Sequence, residues 1–139
     1  MKRMCAVALF VVSCVFAAKG VPAQERVLRA NIPFDFTVGN TWMPAGEYLV
    51  SSPDRQEILV KNVANGSMAE VVSLTSFQTS DSGSKLVFDR YGERYFLHRI
   101  LCPGNQAMNV DIPQSKAEKK VRTLEARAPN KGETLVAAR

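Results

Sequence analysis

From Val27 the chain alternates for a dozen residues between apolar and polar side chains. Leu28, Ala30, Ile32, Phe34, Phe36 and Val38 fall on one face, and Arg29, Asn31, Asp35 and Thr37 fall on the other. A two-residue period of this length specifies a β-strand with one buried face, because a helix would scatter the same residues around its axis. Pro33 interrupts the polar row and has no amide hydrogen, which points to an edge position or a bulge. Gly39-Asn40 then turns the chain.

Short strands separated by turn residues continue the pattern. Pro44-Ala45-Gly46 turns into a strand from Glu47 to Ser51, and Pro53-Asp54 ends it. A strand from Glu57 to Val63 leads to Asn65-Gly66, a pair that tolerates the positive φ of a type I′ hairpin turn, and Met68 to Gln78 is its partner. The segment 79–84 is rich in Ser, Thr, Asp and Gly and reads as an exposed loop. Lys85 to Tyr91 and Arg94 to Cys102 form a second hairpin about Gly92-Glu93, and Ala107 to Ile112 adds a further strand. About seven antiparallel strands at this spacing predict an all-β domain, a small sandwich or barrel.

The end of the chain differs in kind. Ser115-Lys116-Ala117-Glu118 has the spacing of a capping box, and helix formers run from there to Ala128. Val121, Leu124 and Ala128 form a narrow apolar stripe that can dock on the sheet or on a partner. Pro129 stops the helix, and 129–139 is expected to be a disordered tail. Residues 24–113 carry eight basic and ten acidic side chains, whereas 114–139 carry seven and three, so a mildly acidic body bears a basic C-terminal helix, 114–128.

The first 23 residues read as a secretory signal. Lys2 and Arg3 precede an apolar run from Met4 to Ala18, and Val21-Pro22-Ala23 offers a peptidase site that leaves Gln24 first. Fifteen helical residues rise only about 22 Å, short of the roughly 30 Å hydrocarbon core. The alternative is a lipobox, Val11-Val12-Ser13-Cys14, which would attach the protein to a membrane through Cys14. Export, to the periplasm or beyond the cell, leaves Cys102 as the single cysteine of a domain of about 116 residues. It therefore has no partner for an internal disulfide and reads as an apolar filler.

No constellation of catalytic or metal-binding residues stands out. His98 is the only histidine, and alternation puts it on the face of Phe96 and Ile100. Charge is densest on the second hairpin, where Asp89, Arg90, Glu93, Arg94, His98 and Arg99 could form a polar recognition tip. An arginine fork there would hold carboxylates or phosphates, and the plainer reading is cross-strand ion pairing on a solvated face. Among the aromatic residues Trp42, beside turn residues, is the one expected to be exposed. No cofactor is called for, and four net charges on an ordinary helix do not specify nucleic acid.

Two stretches carry a resemblance. Ile32 to Gly39 (IPFDFTVG) and Met43 to Val50 (MPAGEYLV) resemble the PFxFxVG…PAGxYxV opening of a group of small, uncharacterised secreted bacterial β proteins. Leu86 to Leu97 and the Ser-Lys-Ala-Glu helix start resemble the same group's later hairpin and helix. The resemblance implies an exported β domain and brings no activity with it. The leading expectation is a non-enzymatic binding or structural module of the cell envelope, with an unknown protein or an envelope polymer as partner. A periplasmic carrier of a small apolar ligand is the alternative, and a hydrolase comes third.

Overall fold

The computed structural model describes residues 26–125 and 131–139. The expected signal, 1–23, and the expected end of the helix, 126–128, lie outside the described residues. In chain order the strands are β1 (Leu28–Ile32), β2 (Phe36–Val38), β3 (Thr41–Met43), β4 (Gly46–Asp54), β5 (Glu57–Asn62), β6 (Met68–Val72), β7 (Leu74–Thr75), β8 (Lys85–Tyr91), β9 (Arg94–Leu101), β10 (Val110–Asp111) and β11 (Lys131–Ala137). One helix, α1 (Lys116–Glu125), lies between β10 and β11.

The fold is mostly β and sandwich-like. One sheet has the order β1-β4-β5-β6, and the other β11-β8-β9-β10-β7, with the β2–β3 hairpin joined to β9. All pairings are antiparallel except the single bridge Thr37–Phe96 between β2 and β9. The two sheets approach at both sides. Arg29 and Arg139 exchange backbone hydrogen bonds of 2.8 and 2.9 Å, linking β1 to the chain just past β11. On the opposite side β6 runs through Ser73 into β7, with Ser73 bonded to Gln56 of the β4–β5 turn and Ser76 to Asn109, just before β10.

The alternating stretch 27–38 is divided between the sheets. Its apolar row survives, with Leu28, Ala30, Ile32, Phe36 and Val38 buried in one core. Yet β1 belongs to the first sheet and β2 to the second, and the break falls at Pro33, which cannot donate to a ladder. Phe34, at the crossing, stacks on Tyr95 at 3.9 Å and meets Phe88 edge-on at 5.1 Å. Phe36 makes edge contacts with both Tyr48 and Phe88, so the break is anchored by aromatic packing from both sheets.

Three expectations are corrected. The end of the chain is ordered: β11 pairs with β8 over seven residues, and Val136 and Ala138 are buried in the core. Thr134-Leu135-Val136 is β-prone, and the free edge of β8 gives it a strand to pair with. The Asn65-Gly66 connection is not a type I′ turn, since Gly66 alone has positive φ (73°). The side chain of buried Asn62 organises it by accepting from the amides of Ala64 (2.8 Å) and Asn65 (3.0 Å). Finally, His98 does not share one face with Phe96 and Ile100. Val87 pairs with Arg99 and Phe88 with Leu97, so His98 is the extra residue of a β-bulge. The bulge reverses the pattern: Leu97 and Ile100 point into the core, while Phe96 points out beneath the helix.

Helix α1 begins as its cap residues require. Ser115 Oγ accepts from the Glu118 amide at 3.1 Å, and Asn40 Oδ1 of the β2–β3 turn accepts from the Ala117 amide at 3.3 Å. Val121 is buried against Tyr91 and Phe96, which fixes the helix on the outer face of the second sheet. Leu124, the next residue of the apolar stripe, remains 67 % exposed.

Candidate binding groove

The strand registers place five residues in one row across the outer face of the second sheet. Trp42 of β3 lies opposite Thr37 of β2, Thr37 opposite Phe96 of β9, Phe96 opposite Asp89 of β8, and Asp89 opposite Glu133 of β11. Residues directly opposite one another in adjacent strands share a face. Helix α1 covers the middle of the row through Val121 on Phe96. Its presence leaves an open cleft on each side, one at the Trp42 end and one at the Asp89–Glu133 end.

The larger opening, about 650 Å³, runs between α1 and the β2–β3 hairpin. Trp42 and Tyr95 give it aromatic surface, Leu124 and Ala117 line the helix side, and Arg94, Lys120, Asp35 and Glu93 supply charge. Ala117, Lys120, Val121 and Leu124 follow a helical i, i+3, i+4, i+7 spacing, so a single face of α1 makes that wall. The opposite wall is held rigidly. Asp35 Oδ1 accepts from the Ala45 amide at 2.8 Å, tying the crossing segment to the Pro44–Ala45 turn. Gly39 adopts φ 59°, a left-handed turn conformation that side-chain-bearing residues rarely take.

Trp42 is 62 % exposed although it belongs to a strand paired with β2. Its ladder partner Thr37 is half-buried, and the next residue along the strand, Met43, is in the core. The indole thus contributes little to the core and faces the groove instead.

The residues of the expected recognition tip occupy four different places. Glu93 and Arg94 are exposed at the groove. Arg90 Nε donates to the Gly92 carbonyl at 2.7 Å, and its guanidinium lies 5.8 Å from the Tyr95 ring centre. Arg99 is at the other end of β9, where it donates to Asp111 and Gln78. Asp89 and His98 come together on the far side of the helix, with Nδ1 and Oδ2 3.7 Å apart. Alternation alone could not have separated them, because the bulge at His98 and the packing of α1 are both tertiary features.

No family model, curated protein or solved structure matches this chain.

The sequence counts Tyr95 only among the aromatic residues able to line a pocket and Leu124 only within the helix stripe, and it passes over Lys120 as part of a site. The i, i+4 spacing of Lys120 and Leu124 was the available signal, and it needed the docking direction of α1 to acquire meaning. Between sheet and helix lies a buried polar contact, Tyr91 donating to Glu118 Oε1 at 3.1 Å. Burial, followed by the Glu118 carboxylate, pushes the Tyr91 phenol well above its ordinary value of 10.0. Among the described residues, no group of three His, Cys, Asp or Glu side chains is placed to hold a metal ion, and no helix is long and apolar enough to cross a membrane.

Proposed function

We propose that this chain is an exported, non-enzymatic binding module of the cell envelope, and that it holds a segment of an envelope polymer in the groove beside Trp42. The carrying observation is the exposed indole at the mouth of a preformed groove whose walls are fixed by strand pairing and helix capping. An aromatic face supplies flat apolar area at low entropic cost, suited to the C–H faces of a sugar ring or to a peptide side chain. Charges of both signs at Asp35, Glu93, Arg94 and Lys120 surround it and orient a polar ligand.

The interior supports binding at the surface rather than carriage inside. Tyr48, Phe36, Phe88, Ile32, Met43 and Ile58 are fully buried between the sheets and fill the space that an apolar cargo would need. The N-terminal signal and the resemblance to secreted β proteins support the compartment. Co-sedimentation with insoluble envelope from the host, comparing the mature chain with Trp42→Ala, tests the reading. Retention of the parent and loss of the variant are expected, and equal behaviour of the two would overturn it.

A further inference from the structure

The smaller cleft, about 330 Å³, opens on the other side of α1 between β8, β9 and β11. Its lining is Asp89, His98, Gln114, Gly132 and Glu133. Every polar side chain in that set can accept a hydrogen bond, and none is a lysine or arginine. Asp89 is deeply buried, its side chain only 8 % exposed, yet among the described residues no donor comes within hydrogen-bond range of its carboxylate. The nearest candidate, His98 Nδ1, is 3.7 Å away, beyond hydrogen-bonding range. That nitrogen is itself buried without a hydrogen-bond partner. Glu133 is directly opposite Asp89 in the β8–β11 register, and like charges so placed oppose the pairing of their strands. Gln114 Oε1 accepts from Arg122 at 3.0 Å, leaving the second lone pair of the amide oxygen.

A buried carboxylate and a buried ring nitrogen that make no hydrogen bond among the described residues, with a second carboxylate in register, turn acceptors into the same cleft. We propose that this cleft is a binding site for a small organic cation bearing N–H groups, a primary ammonium or guanidinium. Its hydrogens would reach Asp89 and Glu133, with His98 Nδ1 and the Gln114 carbonyl as further acceptors. Gly132 has no side chain to close the entrance. A charge-assisted hydrogen bond to a carboxylate held out of water is the strong kind, and a cation satisfies both acids at once. The amine could come from an amino sugar or from a lysine side chain, and the site recognises what they share. It does not depend on the Trp42 groove.

His98 is the chain's only histidine, so its ring protons give one unambiguous NMR reporter in the cleft. At pH 8, where an ordinary imidazole is neutral, the mature chain is titrated with glucosamine, with Nα-acetyl-lysinamide and with tetramethylammonium chloride. A saturable shift of the His98 signals with one or both N–H cations, and none with tetramethylammonium, is the expected result. Which of the two saturates at lower concentration identifies the source. Glu133→Gln, an exposed position, should weaken the interaction roughly tenfold. Asp89→Asn should abolish it. No saturable shift, an equal shift with tetramethylammonium or calcium chloride, or unchanged affinity in Glu133→Gln overturns the proposal.

Discussion

Tyr91 on β8 donates its phenolic hydrogen to Glu118 of α1, a contact of 3.1 Å between two side chains that are each only 2 % exposed. It crosses the interface on which the placement of the helix depends, since α1 forms one wall of the groove and one of the smaller cleft. Tyr91→Phe leaves the ring in place against Phe96 and removes only the hydroxyl. Destabilisation of about 1–3 kcal/mol is expected by urea denaturation at pH 7, because the buried carboxylate loses a donor.

The same residue sets an alkaline limit. The folded-state pKa of Tyr91 is raised above 10.0, chiefly by burial and then by Glu118, so the folded chain keeps a proton that the unfolded chain releases. The stability contributed is complete below pH 10 and is lost as pH rises toward the folded value. Denaturation curves between pH 8 and 11 should therefore decline less steeply for Tyr91→Phe than for the parent. Parallel declines would mean that another group controls the alkaline limb.

Strand β11 contributes to the core through Val136, while Leu135, its neighbour, is 53 % exposed. Val136→Asp buries a charge among apolar side chains and is expected to cost roughly 3 kcal/mol or more. Leu135→Asp should change little. Equal small effects at the two positions would show that the C-terminal strand is dispensable.

Glu57 on β5 is held above the ordinary carboxylate range, first by the charge of Glu70 on β6, then by burial, a hydrogen bond with Glu70 and the charge of Asp54. A raised carboxylate pKa adds stability below its unfolded value, which is lost as pH climbs through the folded one. Glu70→Gln removes the main cause. The variant should melt above the parent at pH 7, with the gap closing as pH falls below the ordinary range near 4.5. A gap that persists in acid would assign the effect to something other than repulsion.

Much of the fold is legible in the residues. The alternation from Leu28 to Val38 identifies a buried face that the structure keeps intact, and Ser115 caps α1 as its spacing with Glu118 implies. Pro33 marks the break in the alternating stretch, but only the second sheet shows that the chain changes partners there. The tail 129–139 reads as unstructured because a segment this short cannot hold a strand alone, and the seven-residue β11 exists through the free edge of β8. The sites depend on similar tertiary facts. Trp42 was picked out as exposed from its own neighbourhood, whereas Tyr95, Lys120 and Leu124 join it through the docking of α1, and the His98 bulge alone brings that ring beside Asp89.

Trp42 is the chain's only tryptophan, which makes its fluorescence a direct measure of the groove. The decisive measurement is a titration of the mature chain with soluble polymer fragments released from the host's envelope, recorded at the tryptophan emission. A saturable change in intensity or a blue shift, weakened at least several-fold by Lys120→Ala, is the expected result, since burial of the indole by a ligand moves it out of water. Binding detected by another method with the Trp42 emission unchanged would contradict the central claim, because the polymer would then be held elsewhere on the molecule.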